Sequence, residues 1–77
     1  MKLLLFARAR DLVGADCIEI PAPANISALR AQLASQYPLL AGLLEKSAFA
    51  INDEYADDAT PIPTNAEVAL LPPVSGG

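Results

Sequence analysis

Two apolar runs at opposite ends of the chain, Lys2-Leu3-Leu4-Leu5-Phe6-Ala7 and Glu67-Val68-Ala69-Leu70-Leu71, dominate what it can fold into. Each has the length of a strand rather than of a helix, and near-continuous hydrophobicity is the mark of a strand covered on both faces. The two most apolar strands belong at the centre of a sheet, so the ends of the chain are expected side by side in a mixed sheet. With 77 residues there is room for one core and no second domain, because a chain near this size buries only about 60% of its unfolded surface.

The segments between these runs supply the rest of the architecture. Arg8 to Ala15 is polar, carries Gly14 and reads as a turn into Cys17-Ile18-Glu19-Ile20, where Ile18 and Ile20 alternate with Cys17 and Glu19. Pro21 and Pro23 end that strand. Asn25 is placed to cap a helix over about Ile26 to Gln36, with Ile26, Leu29, Leu33 and Tyr37 as its buried stripe and Arg30 and Gln32 pointing outward. Pro38 biases Tyr37 away from helical geometry and sets the stop, and Leu39 to Leu44 adds one short helical turn. Ala48 to Ile51 is a third strand, Asn52-Asp53 its turn and Tyr55-Ala56 a brief fourth. Pro61, Pro63 and Asn65 make a loop before the last strand, which Pro72 halts by removing the ladder donor. These segments predict an α+β domain over residues 1–73. It is a β-grasp, a mixed sheet of about five strands with one main helix across one face. Residues 74–77 extend from it as a tail.

Charge and composition narrow the partners. Nine acidic against five basic residues give a net charge of -4 with no clustered Lys/Arg stripe, so a phosphate-backbone footprint is not expected and nucleic acid is excluded as a partner. No apolar run approaches the roughly 20 residues of a membrane helix. The opening apolar block meets Arg8 at once, too short for a secretory signal, and the single Cys17 agrees with a reducing compartment; the expectation is a cytoplasmic protein with no membrane association. With no His and one Cys, neither a metal site nor a bound cofactor is expected.

The ending Pro72-Pro73-Val74-Ser75-Gly76-Gly77 then becomes the candidate site. It follows a central strand directly, so it leaves the domain at a fixed place. Pro72-Pro73 favours an extended stem, and four residues beyond it span roughly 13 Å at about 3.3 Å each. Gly76 and Gly77 lack a Cβ and can thread a channel too narrow for other residues. The tip carries only a carboxylate, ionised at neutral pH and therefore a nucleophile and a poor electrophile. Attack on the α-phosphate of ATP would convert it to an acyl adenylate that a sulfur or amine nucleophile can open. This chain has no Gly-rich loop with Lys and Ser/Thr, so another enzyme must hold and consume the ATP.

Leu5-Phe6-Ala7-Arg8-Ala9-Arg10-Asp11-Leu12-Val13-Gly14, Ile51-Asn52 and the stretch Glu67 to Gly77 resemble the family of small, sulfur-carrier subunits of molybdopterin synthase, with the PPVSGG ending the most specific part. The resemblance spans the whole chain and implies a ubiquitin-like carrier, not an enzyme on its own. On it, an E1-like enzyme adenylates Gly77, which becomes a thiocarboxylate, and Gly76 is the thin neighbour of the sulfur-bearing residue. The large catalytic subunit would then receive the tail and pass its sulfur to cyclic pyranopterin monophosphate, two small and two large subunits forming a heterotetramer. The partner-contacting residues implied are Phe6, Leu71, Pro72, Pro73, Val74, Ser75 and Gly76. Leu4, Phe6 and Leu71 would form an apolar patch if they face away from the helix. One departure is Leu70-Leu71, where family members often carry aromatic residues.

Two alternatives share the tail chemistry: a sulfur carrier for thiamine or another thio-metabolite, and a ubiquitin-like modifier whose Gly77 forms an isopeptide bond. A Cys17 persulfide carrier is disfavoured, because no cation, His or second Cys neighbours it and Asp16 and Glu19 oppose a thiolate.

Overall fold

The structure, a computed structural model, describes residues 1–73. Its elements run β1 (Lys2–Leu5), α1 (Ala7–Val13), β2 (Cys17–Glu19), α2 (Ile26–Gln36), a 3-10 turn (Pro38–Leu40), α3 (Ala41–Leu44), β3 (Ala48–Ile51), β4 (Glu54–Ala56) and β5 (Glu67–Leu71). The five strands form one sheet in the order β2-β1-β5-β3-β4. The terminal runs do lie side by side: β1 pairs β5 in parallel, with Leu3 opposite Val68 and Leu5 opposite Leu70. All other pairings are antiparallel, which makes the sheet mixed and the arrangement the expected β-grasp.

Strand alternation assigns the faces. Leu3, Leu5, Phe49, Val68 and Leu70 are at most 2% exposed and share one face with Ile51. Ile26, Leu29 and Leu33 of α2, with Leu40 and Leu44 after it, join the same cluster, so the helices cover that face alone. Asn25 caps α2 as expected, its side chain accepting from the Ala28 N–H at 2.8 Å. Tyr37, the last residue of the predicted stripe, is only partly buried and packs on the margin of the core. The β3–β4 hairpin closes through Asn52 and Asp53, both left-handed (φ 48 and 72), the two-residue turn whose twist matches the strands and which Asn and Asp tolerate.

Three expectations are corrected. The first concerns Arg8 to Ala15, read as a turn, which contains helix α1. Exposed Arg8, Arg10 and Asp11 mask a helical pattern in which Ala9 is fully buried and Leu12 and Val13 pack against the core. Gly14 ends α1 in the left-handed region (φ 85), its N–H donating to the Arg10 carbonyl at 2.8 Å.

The second is β1, which is covered on one face only; Leu4 is partly exposed on the other.

The third is Arg30, expected to point outward, which turns inward. Its guanidinium lies over the Phe49 ring at 4.9 Å from the centroid, donates to the Leu44 and Ser47 carbonyls and pairs with Asp58 at 3.0 Å. Gln32, expected outside with it, is partly buried. A planar fork of donors on an aliphatic stem can cover an aromatic ring and satisfy carbonyls beyond it, which helical periodicity does not encode. Arg30→Met is expected to keep the stem and lose these bonds, costing about 2 kcal/mol and lowering Tm by roughly 8–16 °C in thermal unfolding. Arg30→Lys recovers little of it, since an ammonium cannot reach all three acceptors at once.

Candidate functional site

The site is the end of the sheet from which the chain leaves β5. Leu71 is the last residue of β5 and pairs with Ala48 of β3, so the strand that precedes the tail lies between β1 and β3 through Leu70 and is held by β3 to its end. Pro72 is partly exposed and Pro73 exposed. Val74, Ser75, Gly76 and Gly77 lie outside the described residues.

The register resolves the parity that sequence left open. Leu4 and Leu71 sit on the face the helices do not cover, where Cys17, Leu4, Ala69, Ala50 and Tyr55 form a row across all five strands. Lys2 pairs with Glu19 and Glu67 at the far end of this open face. Phe6 follows β1 without joining it and is 45% exposed, while Ala7 beside it takes a left-handed conformation (φ 49) that ends the extended run. For a residue with a Cβ that conformation costs roughly 1 kcal/mol, and it lies at the margin of the candidate site. Phe6 and Leu71 both line a groove of about 460 Å³ together with Pro72 and Pro73, while Leu4, the third residue of the expected patch, is not among its lining residues.

Four residues of this groove escaped the sequence reading: Ala7, Lys46, Ala48 and Tyr55. Tyr55 is 80% exposed, and the signal for it was its place opposite Ala50 in a hairpin whose turn was legible. Lys46 precedes β3 and is the one charged residue among the described residues lining the groove. Cys17 is free and exposed on edge strand β2, the bland placement expected of it.

Among the described residues no cluster of His, Cys, Asp and Glu could hold a metal ion, and no helix is long and apolar enough to cross a membrane. Exposed aromatic residues, small strand residues and a proline stem can bind a protein surface and aim a tail.

Comparison with known proteins adds the tail to this picture. Along its length the chain is 41% identical over 81 residues to the molybdopterin synthase sulfur carrier subunit of Dictyostelium discoideum, covering 99% of this chain and 94% of that protein. It is 39% identical over 80 residues to the subunit of the same name from Escherichia coli, covering 100% and 99%. The fold matches a chain of the complex of subunits 1 and 2 of molybdopterin-converting factor from Helicobacter pylori, with a TM-score of 0.70 at 28% identity over 99% of this chain and 96% of that one. The ThiS family model matches residues 3–77, from the first central strand through the final glycine, and the chain belongs to the ThiS family.

Proposed function

We propose that this chain is the sulfur-carrier subunit of a molybdopterin synthase, working in the cytoplasm and acting through the carboxylate of Gly77. The observation that carries the reading is that the family match and the match to the Escherichia coli carrier subunit extend through the glycine end. In the first step a carboxylate oxygen attacks the α-phosphorus of ATP held by an E1-like enzyme, and pyrophosphate leaves. Sulfide then attacks the acyl carbon, AMP leaves with the carboxylate oxygen, and a thiocarboxylate remains. The large catalytic subunit receives the tail, and sulfur passes to cyclic pyranopterin monophosphate in a heterotetramer of two small and two large subunits. The described residues contribute position: central β5 fixes the root, the diproline holds the stem, and the open apolar face provides the docking area. No cofactor is bound by the carrier; ATP is consumed on the activating enzyme.

The test is intact mass spectrometry after incubation with ATP, an E1-like activating enzyme and a sulfide source. The chain is expected to gain the mass of one oxygen-to-sulfur replacement, located in the C-terminal peptide, and to convert cyclic pyranopterin monophosphate when mixed with the large subunit. No gain with an activating enzyme that demonstrably loads another carrier sinks the reading. Sulfur gain without pterin conversion moves it to a carrier for another thio-metabolite, and recovery of the chain on target lysines in cell lysates moves it to a protein modifier.

The exposed aromatic at the groove gives a second measurement. Phe6→Ala removes a side chain that is 45% exposed and is expected to leave Tm within about 3 °C. Binding to the large subunit, read by calorimetry, is expected to weaken tenfold or more, because truncating an aromatic anchor at an interface costs about 2 kcal/mol.

A further inference from the structure

The groove at the tail root carries one cation, and its placement goes past apolar docking. Lys46 is exposed and takes part in no ion pair among the described residues. Its backbone is held on both sides: Arg30 donates to the carbonyls of Leu44 and Ser47, which flank it, and the Lys46 N–H donates to the Leu43 carbonyl at 3.1 Å. Lys46 lines the same groove as Pro73, the last described residue before the tail. A chain with a net charge of -4 therefore presents one exposed ammonium, on a held backbone, in a groove it shares with Phe6, Leu71 and Tyr55.

The geometry points to Lys46 as a specificity-determining contact: the groove takes a large apolar side chain of the large catalytic subunit, and Lys46 pairs with an aspartate or glutamate flanking that side chain. This rests on the proposed sulfur-carrier function and names the chemistry of the partner at that site. Charge complementarity argues for a carboxylate. An anchored cation at the edge of an apolar contact rewards an opposite charge and penalises a basic partner, which sets register and selects between surfaces of similar hydrophobicity. The pair sits at the root of the tail, four residues before Gly77, a stretch that spans about 13 Å when extended, so its role is to orient the stem.

The experiment measures the dissociation constant of the full chain with the large subunit at roughly 0.05 and 0.15 M salt for four proteins: wild type, Lys46→Arg, Lys46→Glu and Lys2→Glu. Lys46→Glu and Lys2→Glu change net charge equally, but Lys2 lies at the opposite end of β1 from the groove. Lys46→Glu is expected to weaken binding tenfold or more at the lower salt, with the gap narrowing at the higher. Lys46→Arg and Lys2→Glu are expected to stay within about threefold of wild type. Equal losses for Lys46→Glu and Lys2→Glu would mean that only overall charge is felt, and no loss for Lys46→Glu would mean that the groove contact is apolar alone; either overturns the inference. Sulfur gain and large-subunit binding by the wild-type chain in the same preparations keep these outcomes separate from failure of the carrier reading, which neither would survive.

Discussion

Deleting Gly77 is expected to abolish sulfur loading of the chain while leaving its thermal unfolding unchanged. The shortened protein still ends in a glycine carboxylate, now on Gly76, so the nucleophile is chemically the same and only its reach has changed. One residue of extended chain is about 3.3 Å, and a displacement of even 1 Å from a near-attack geometry can cost about a hundredfold in rate. Since β5 fixes the root of the tail, the body of the domain cannot slide forward to restore that distance without breaking the contacts on which docking depends. Stability has no reason to follow. Every buried hydrophobic residue among the described ones lies at or before Leu70, and β5 is paired with β1 through Leu70 and with β3 through Leu71. Intact mass spectrometry of both chains beside their melting curves decides it. A truncated chain that gains sulfur as readily as the full one would show that reach does not position the carboxylate, and the tail argument would fail with it.

How much of this was legible in the sequence can be read from particular residues. The long-range pairing of β1 with β5 came through because both runs are apolar beyond what an edge strand tolerates, and Ile26 to Gln36 came through because a cap, a stripe and a proline stop agreed. Helix α1 did not, since two arginines and an aspartate on its exposed side outweighed the spacing of Ala9, Leu12 and Val13 over barely two turns. Phe6 and Leu71 were legible as apolar residues without an assigned face; only the register shows that Leu71 looks away from the helices and that Phe6 leaves the strand. Tyr55 and Lys46 are brought to the groove by the β3–β4 hairpin and by the loop that Arg30 clamps. The hairpin that carries Tyr55 was legible from its Asn52-Asp53 turn, whereas the placement of Lys46 is a consequence of tertiary packing that no local pattern encodes.

Phe49→Ala is expected to do the greatest damage to the fold. The side chain is fully buried, pairs across the sheet with Leu70 and is roofed by the Arg30 guanidinium. Its truncation leaves a cavity in the centre of the only core a domain of this size can build, at a cost of about 4 kcal/mol by the usual range for phenylalanine. That corresponds to a fall in Tm of roughly 15–30 °C. A domain this small stands at the low end of the usual 5–15 kcal/mol of stability, so a substantial unfolded population near physiological temperature is expected. The loss reaches the site through Arg30: with the ring gone, the guanidinium loses the surface beneath it, and the carbonyls of Leu44 and Ser47 that it holds are less firmly placed on either side of Lys46. Phe49→Leu keeps most of the apolar volume and is expected to lose less than half as much, with sulfur loading intact at low temperature. Calorimetric unfolding of both variants separates a packing loss of this kind from an aromatic requirement. Equal destabilisation by alanine and leucine would mean that the ring under Arg30, rather than the filled core, is what Phe49 contributes.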